Sequence, residues 1–506
     1  MNLGQWTTQW ASLNPHDPCI KSGQIELSKA EFNARINRLS HALQEAGIGK
    51  GDRVAALLAN GHVFLETVFA VSKIGAIMVP LNFRLAPAEL EYIIRDCEPS
   101  VLLYSPEFVS AIKALRGKMP GVERIICETE GGAAEDAEYE AWIRDHSEAE
   151  PFSGSEVTLQ DPHLIIYTSG TTGKPKGAVI TQQITQWNSI HYLHNYRCEY
   201  SHVAACCAPF FHVGGLLCSA IPNLYAGSQL VIQRMFDPEK LLKIIERHKI
   251  NSMLGIPVMY LLMSQAPNFQ EADLSSIEYF IAGGSPCSLP LIKTYQEKGV
   301  IFSQGYGMTE APVITNLRPQ DSLTKIGSCG KPMFHLSVKV VDAEGQETAP
   351  EEVGEILCKG PIVINQYWRQ PEATSQAISD GWIRTGDMGC LDSEGYLYIK
   401  DRKKDMYISG GENVYPAEVE NVILGLPEVA DVAVIGIPDP KWGETGLAIV
   451  IKKPGADLSP EQLMAACKGK LASYKMPKKV AFADELPRTP SGKPLKKELR
   501  AIYADA

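Results

Sequence analysis

The segment Tyr167-Thr168-Ser169-Gly170-Thr171-Thr172-Gly173-Lys174-Pro175-Lys176-Gly177 constrains this chain more than any other stretch. It interleaves hydroxyls and glycines with two lysines. Glycines let backbone N–H groups close around an anion, hydroxyls donate to its oxygens, and lysines balance its charge. That combination predicts a phosphate-binding loop. Leu164–Tyr167 reads as a short strand feeding it, and Ala178–Ile180 resumes an apolar run beyond it. The spacing is not that of the ordinary P-loop, which has four residues between its glycines and Ser or Thr after its lysine. Here only Thr171 and Thr172 separate Gly170 from Gly173, and Pro175 follows Lys174.

The 506 residues allow two or three domains, and 45% hydrophobic content is that of an ordinary globular protein. A net charge of −11 argues against nonspecific nucleic-acid binding, which needs a basic face. It leaves room for an anionic small molecule, because single loops can be basic in an acidic protein. The 12 cysteines form no CxxC pair, and adjacent Cys206 and Cys207 are poorly placed to bridge or to share a zinc. Buried thiols in a reducing cytosol are expected. Met1–Trp10 lacks the charged-then-apolar pattern of a signal peptide. No apolar run reaches the ~20 residues of a membrane-spanning helix, and Val213–Pro222 reads as core. A cytoplasmic protein without an integral membrane segment follows, with loose membrane contact open to it if its substrate is a lipid.

The N-terminal half alternates helical and strand patterns. Ser28 and Glu31 form a capping-box signature, Phe32, Ile36, Leu39 and Leu43 mark one helix face, and Gly47 ends it. Val54–Leu58 and Ile77–Val79 read as strands around a helical His62–Lys73. Such alternation predicts parallel sheets covered by helices. Glu128–Glu156 is acidic and poor in large apolar residues, so it reads as a surface excursion. A second α/β stretch spans about Cys206–Gly307. The chain then becomes strand-rich from Lys331 to about Lys400, with candidate strands at Val338–Val341, Glu355–Cys358 and Tyr396–Ile399. The charged run Asp401–Asp405 reads as a linker. A small α+β region follows, with helices at Pro416–Leu424 and Ser459–Leu471 and strands at Val432–Ile435 and Leu447–Ile451.

Further motifs carry chemistry. Gly305-Tyr306-Gly307-Met308-Thr309-Glu310 follows the strand-like Val300–Phe302. Flanking glycines would expose Tyr306 as a flat face for a purine, Thr309 offers a hydroxyl, and Glu310 offers a hard oxygen to Mg²⁺. Trp382-Ile383-Arg384-Thr385-Gly386-Asp387 places a carboxylate just past a turn, where it could accept both hydroxyls of a ribose. His191 and His194 have a spacing open to a metal pair, but no third ligand is evident.

These motifs, with the Arg402–Glu418 segment, occur in order from about residue 10 to the C-terminus. Together they resemble the adenylate-forming superfamily of acyl-CoA synthetases, luciferases and peptide-synthetase adenylation domains. The resemblance implies an α/β fold: a large N-terminal domain of helix-covered sheets plus a β-rich subdomain (1–403), and a small mobile α+β C-terminal domain (404–506). It implies ATP, Mg²⁺ and CoA as reactants, a small-molecule carboxylic acid as partner, and a homodimer as one assembly open to it. By resemblance, Thr168, Ser169, Gly170, Thr171, Thr172, Gly173, Lys174 and Lys176 would hold the β- and γ-phosphates. Tyr306 would stack on adenine, Thr309 would bind the α-phosphate, and Glu310 with Thr168 would meet the metal. Asp387 and Arg402 would take the ribose. Gly283, Gly284 and Ser285, with Gly305, Gly307, Ala311 and Val313, would line the nucleotide and acyl site.

Lys493, in Thr489-Pro490-Ser491-Gly492-Lys493, matches the family's adenylation lysine. Lys404 lies where the family hinges. Gly410 and Gly411 would let a pantetheine arm pass, Trp442 would flank the same tunnel, and Lys475, Lys478 and Lys479 could meet CoA phosphates. His212 occupies the aromatic position beside the carboxylate, where amino-acid-activating relatives carry an aspartate. Phe211-His212 offers no such anion, so an amino-acid substrate is disfavoured; a fatty or other hydrophobic acid is the expected substrate. Arg197 could pair with a second substrate carboxylate. An acyl-AMP ligase that loads a carrier protein, and a non-catalytic ligand-binding protein on the same fold, are the alternative readings.

Overall fold

The computed structural model describes residues 2–503 apart from 130, 131, 134, 153, 155, 169–174, 197, 286, 403, 404, 410, 411, 441, 469, 472 and 489–492; the side chains of Arg402 and Asn413 are also left aside. The chain divides into two units, residues 1–337 with 358–383, and residues 338–357 with 384–506.

The first unit contains two sheets. The seven-stranded one runs, in spatial order, Ala137–Glu138, Arg124–Cys127, Val101–Tyr104, Arg53–Leu57, Ile77–Pro80, Pro162–Thr168 and Lys176–Thr181. Its strands are parallel except the last pair. The nine-stranded sheet places Val203–Cys206, Ser252–Gly255, Tyr279–Gly283 and Phe302–Met308 side by side in parallel. Helices cross between these strands, as the alternating sequence pattern predicts. The helix Lys29–Glu45 begins with the anticipated reciprocal cap, Ser28 accepting from Glu31 N–H and Glu31 from Ser28 N–H.

The core of the second sheet is aromatic. Tyr260, Phe280, Tyr295 and Phe302 are buried against one another with ring centroids 4.9–6.0 Å apart. Their hydroxyls are satisfied inside: Tyr260 donates to the Ile281 carbonyl at 2.8 Å and Tyr295 to the Tyr260 carbonyl at 2.7 Å. These rings sit beneath the parallel strands and fix where their ends emerge.

Residues 128–156 are not merely a surface excursion. They contribute the strand Ala137–Glu138 and the helix Tyr139–Ile143, and Tyr139 is fully buried. Its hydroxyl donates to buried Glu66 at 2.5 Å, and Glu66 pairs with Arg35 at 2.6 Å. Long-range polar contacts draw this acidic segment inward.

In the second unit, Val429–Asp439 and Gly443–Lys452 form a long antiparallel pair, joined by Tyr407–Ser409, Glu412–Val414 and Lys479–Phe482. Val432 and Val434 face one apolar cluster, while Ala433, Ile435 and Ile437 face another with Leu499. Cover on both faces explains the continuous apolar run. The helix Pro416–Leu424 has the bounds expected from sequence. Among the described residues, no helix is long and apolar enough to cross a membrane.

His163 is fully buried, its ring 3.2 Å from Ser72 Oγ and 2.7 Å from Thr185 Oγ1. Burial lowers its pKa to about 3. The unfolded chain therefore binds a proton that the native state refuses between roughly pH 6.5 and that value. Stability is full above pH 6.5 and falls on acidification by about 1.4 kcal/mol per pH unit from this group. We predict that His163→Gln flattens the decline of the melting temperature between pH 6.5 and 4.

Candidate active site

The phosphate-loop segment is a hairpin. Pro162–Thr168 pairs antiparallel with Lys176–Thr181, and Thr168 lies opposite Lys176. A strand-to-strand connection, not the strand-to-helix turn of a P-loop, closes the loop. Ser169, Gly170, Thr171, Thr172, Gly173 and Lys174 fall outside the described residues. Gly177 is required for packing, because a Cβ there would stand 2.6 Å from Ile165 Cγ2.

The outer edge of the hairpin is covered by a segment the sequence reading missed. Trp368 N–H donates to the Gly177 carbonyl at 2.7 Å, Val179 N–H to the Gln366 carbonyl at 3.2 Å, and Tyr367 bridges Ala178. The Trp368 indole N–H donates to the Asp96 carbonyl at 3.2 Å, and the Tyr167 hydroxyl engages the Asp96 carboxylate. The signal was present: Ile362-Val363-Ile364-Asn365-Gln366-Tyr367-Trp368 is an apolar and aromatic run bounded by Gly360-Pro361.

Tyr306 and Gly307 lie within the strand Phe302–Met308. The turn is Thr309–Glu310, between Met308 and its partner Ala311. Gly307 serves close approach, since a Cβ there would overlap the Pro312 carbonyl oxygen. Tyr306 is buried, not an exposed face, because it sits in mid-sheet opposite Thr315. Thr309 and Glu310 are also buried.

The Tyr367 hydroxyl donates to Glu310 Oε1 at 2.8 Å, and Ile364 N–H donates to the Glu310 carbonyl at 2.9 Å. Burial and the adjacent carboxylate push the Tyr367 phenol well above its usual pKa, so it remains a donor. Lys176 Nζ lies 5.4 Å from the Tyr367 ring centroid. The oxygen donors at Thr168, Thr309 and Glu310 suit a hard cation such as Mg²⁺, which takes few protein ligands when phosphates supply the rest.

Gly283, at the carboxyl end of its strand, pairs with Gly305 in the neighbouring parallel strand and is followed by Gly284 (φ +81°) and exposed Ser285. His212 follows the carboxyl end of Val203–Cys206. Open α/β sheets bind ligands at these ends. His212 is exposed, and its Nδ1 accepts from Gly214 N–H at 3.1 Å, which assigns its proton to Nε2. A π-helical turn, Leu216–Ala220, follows, and Asn188 Nδ2 donates to the Leu217 carbonyl at 2.6 Å.

His191 does not form a metal pair with His194. It is buried with Nε2 3.0 Å from His335 Nδ1, the two rings stacked at 5.1 Å beside Trp187. Burial, with His335 and His194 nearby, lowers its pKa to about 4. Among the described residues no group of three or more His, Cys, Asp or Glu could hold a metal. Arg197 falls outside the described residues.

In the second unit, Asp387 lies within the strand Trp382–Leu391 rather than just past a turn, and faces Arg402 across an antiparallel pair. It is 3% exposed. Asp401 is no solvated linker residue, because it accepts from Ala417 N–H at 2.7 Å and caps the following helix. Ser409 pairs with Gly443, which brings the end of the strand Tyr407–Ser409 beside the turn bearing Trp442. Gly410, Gly411 and Lys404 lie outside the described residues. Lys478 Nζ is 5.6 Å from the Trp442 ring centroid. Lys475 instead pairs with Glu418 at 2.8 Å. Lys493 is exposed.

Gly307→Ala tests the close approach. Overpacking of this kind costs roughly 1–3 kcal/mol. We predict a lowered melting temperature and weaker ATP binding by calorimetry.

Two family models match the chain: AMP-binding enzyme over residues 7–368, and AMP-binding enzyme C-terminal domain over residues 418–493. A feruloyl-CoA synthase of an Amycolatopsis species is 40% identical over 503 residues, covering 99% of each chain. A long-chain fatty-acid–CoA ligase of Mycobacterium tuberculosis is 39% identical over 508 residues, again covering 99% of each. The crystal structure of ATP-bound MatB from Rhodopseudomonas palustris matches with TM-score 0.91 and 32% identity, covering 100% of this chain and 99% of that one.

Proposed function

Because the chain belongs to the AMP-binding enzymes, in their AMP-forming acid–CoA ligase branch, we propose that it activates a hydrophobic carboxylic acid, fatty or aryl. The observation that carries this reading is the strand-end constellation. Gly283 pairs with Gly305 and is followed by Gly284, while Ala311 and Val313 follow the Thr309–Glu310 turn; all of them are small or apolar, and Phe211-His212 supplies no anion for an α-amine. The names of the two relatives, one for an aryl acid and one for a long-chain acid, support the same class.

The chemistry is charge management. A substrate carboxylate oxygen attacks the α-phosphorus of ATP, the bond to the β-phosphate oxygen breaks, and pyrophosphate leaves. The CoA thiolate then attacks the acyl carbonyl of the adenylate, and the C–O bond to AMP breaks. Both steps bring anions together, so donors must be aimed at the developing charge. Thr168 and the loop through Lys176 bind the outer phosphates, Thr309 the α-phosphate, and the small part of Tyr306 left uncovered meets the adenine. Asp387 and Arg402 hold the ribose hydroxyls. Glu310 and Thr168 would hold Mg²⁺, which would supply positive charge to the phosphate oxygens. Lys493 pairs with the incoming carboxylate and the α-phosphate. His212 walls the acyl site.

The domain assignment carries a second part of the proposal. Residues 1–403 act as the nucleotide- and acid-binding domain, and residues 404–506 turn about Lys404 between the half-reactions. Gly410, Gly411, Trp442 and Lys478 then serve the CoA arm. The protein acts in the cytoplasm, a reading supported by its free thiols, most of them buried.

Two predictions test this. Pyrophosphate release with ATP, Mg²⁺ and a panel of short, medium and long fatty acids, aryl acids and dicarboxylates is expected to need both a hydrophobic acid and CoA for multiple turnover. Release indifferent to CoA would point to carrier loading, and a preference for dicarboxylates would overturn the substrate class. Lys493→Ala is expected to lower adenylation by two orders of magnitude or more, roughly 3 kcal/mol in the barrier, while thioester formation from supplied acyl-adenylate persists. Equal loss of both half-reactions would remove the assignment.

A further inference from the structure

We propose that Tyr367 is a positioning residue for the metal: its hydroxyl fixes the Glu310 carboxylate, and its ring ties that carboxylate to Lys176 of the phosphate hairpin. The inference rests on the proposed role of Glu310 and extends it to a residue outside both nucleotide motifs.

Four observations carry it. The Tyr367 hydroxyl donates to Glu310 Oε1 at 2.8 Å, a bond between two buried side chains. A carboxylate held through one oxygen presents the other in a set direction, and Mg²⁺ demands near-ideal geometry from its few protein ligands. The same ring lies beneath Lys176 Nζ, 5.4 Å from its centroid. The backbone of Tyr367 is pinned from both sides: it bridges Ala178, its N–H donates to Thr374 Oγ1 at 3.0 Å, and neighbouring Trp368 N–H donates to the Gly177 carbonyl at 2.7 Å. Finally, Ile364 N–H, from the same segment, holds the Glu310 carbonyl at 2.9 Å. Glu310 is thus oriented at both backbone and side chain by one short stretch, and that stretch is anchored on the phosphate hairpin.

A purely structural tyrosine would fill space and satisfy its own hydroxyl. This one spends the hydroxyl on the carboxylate assigned to the metal and its ring on a cation assigned to phosphate. Groups that orient metal ligands typically cost 10–100-fold in metal affinity or activity when removed.

The experiment compares Tyr367→Phe, Tyr367→Leu and Glu310→Gln with the parent enzyme. Two readouts are taken: the Mg²⁺ concentration giving half-maximal pyrophosphate release, and ATP binding by calorimetry with Mg²⁺ and with EDTA. Tyr367→Phe keeps the ring under Lys176 and deletes only the hydrogen bond. It is expected to raise the Mg²⁺ requirement about tenfold, with ATP binding in EDTA within about twofold of the parent. Tyr367→Leu, which also removes the ring, is expected to weaken ATP binding in EDTA as well. Glu310→Gln is expected to raise the Mg²⁺ requirement at least as far as Tyr367→Phe.

An unchanged Mg²⁺ requirement in Tyr367→Phe, with a raised one in Glu310→Gln, would overturn the Tyr367 role and leave the metal ligand standing. No shift in either would overturn the metal assignment of Glu310 and this inference with it. Equal loss of ATP binding with and without metal in Tyr367→Phe would assign the residue to packing. A shift in Tyr367→Phe alone would also overturn it, since the effect would not pass through Glu310.

Discussion

Backbone hydrogen bonds from residues 364–368 hold the nucleotide end of the first unit together. Lys176–Thr181 is the last strand of the seven-stranded sheet, and an uncovered edge strand invites pairing with another chain. Gln366 and Trp368 cover that edge, and Ile364 reaches the Thr309–Glu310 turn of the nine-stranded sheet. Each such bond contributes only about 1 kcal/mol net. Their sum is small against the burial of the aromatic core, so stability is not their main effect. They set the register of the hairpin edge against the Thr309–Glu310 turn.

Charge makes the same point from another direction. A protein of net charge −11 must hold a polyanion. Many of its cations are committed elsewhere: Arg35 to Glu66 and Glu140, Arg234 to Glu128 and Glu107, Arg369 to Glu98. Those pairs fix the scaffold and offer little to a ligand. Lys176 differs. Among the described residues it is in no ion pair, and it lies over the Tyr367 ring. A ring steadies a cation through its π face without cancelling its charge, which leaves the ammonium able to meet a phosphate.

Sequence reasoning succeeded where the deciding chemistry is local. The cap at Ser28 and Glu31 and the helix Pro416–Leu424 emerged as expected, since both depend on residues within one turn. The order of the nucleotide motifs was likewise legible, and it carried the family. It failed where distant contacts decide. The flanking glycines suggested an exposed Tyr306, yet Tyr306 is buried within its strand and Gly307 is small so that the Pro312 carbonyl can approach within the sheet. Low apolar content made residues 128–156 look peripheral, yet Tyr139 finds Glu66 across 73 residues. Tyr367 meets Glu310 across 57. No periodicity encodes such pairs, so the residue completing the candidate metal site was invisible until the fold brought it there.

The C-terminal lysine shows how an exposed group can still be placed. Lys496, three residues beyond Lys493, is 2.9 Å from Glu420 and 3.9 Å from Asp401, and all three side chains are largely buried. Glu420 also accepts from Val434 N–H at 2.7 Å. Burial raises the Glu420 pKa, while Lys496 opposes that shift. A buried pair of this kind is weak evidence for stability, because desolvation offsets most of the attraction. Its stronger consequence is register: it fixes Lys496–Ile502 against Pro416–Leu424 and the long strand pair. Leu495 N–H adds a bond to the Pro487 carbonyl at 2.7 Å. Lys493 therefore projects from chain whose C-terminal side is anchored, while its own side chain stays exposed. Leu495 and Lys496 fix the point of the chain from which that side chain extends.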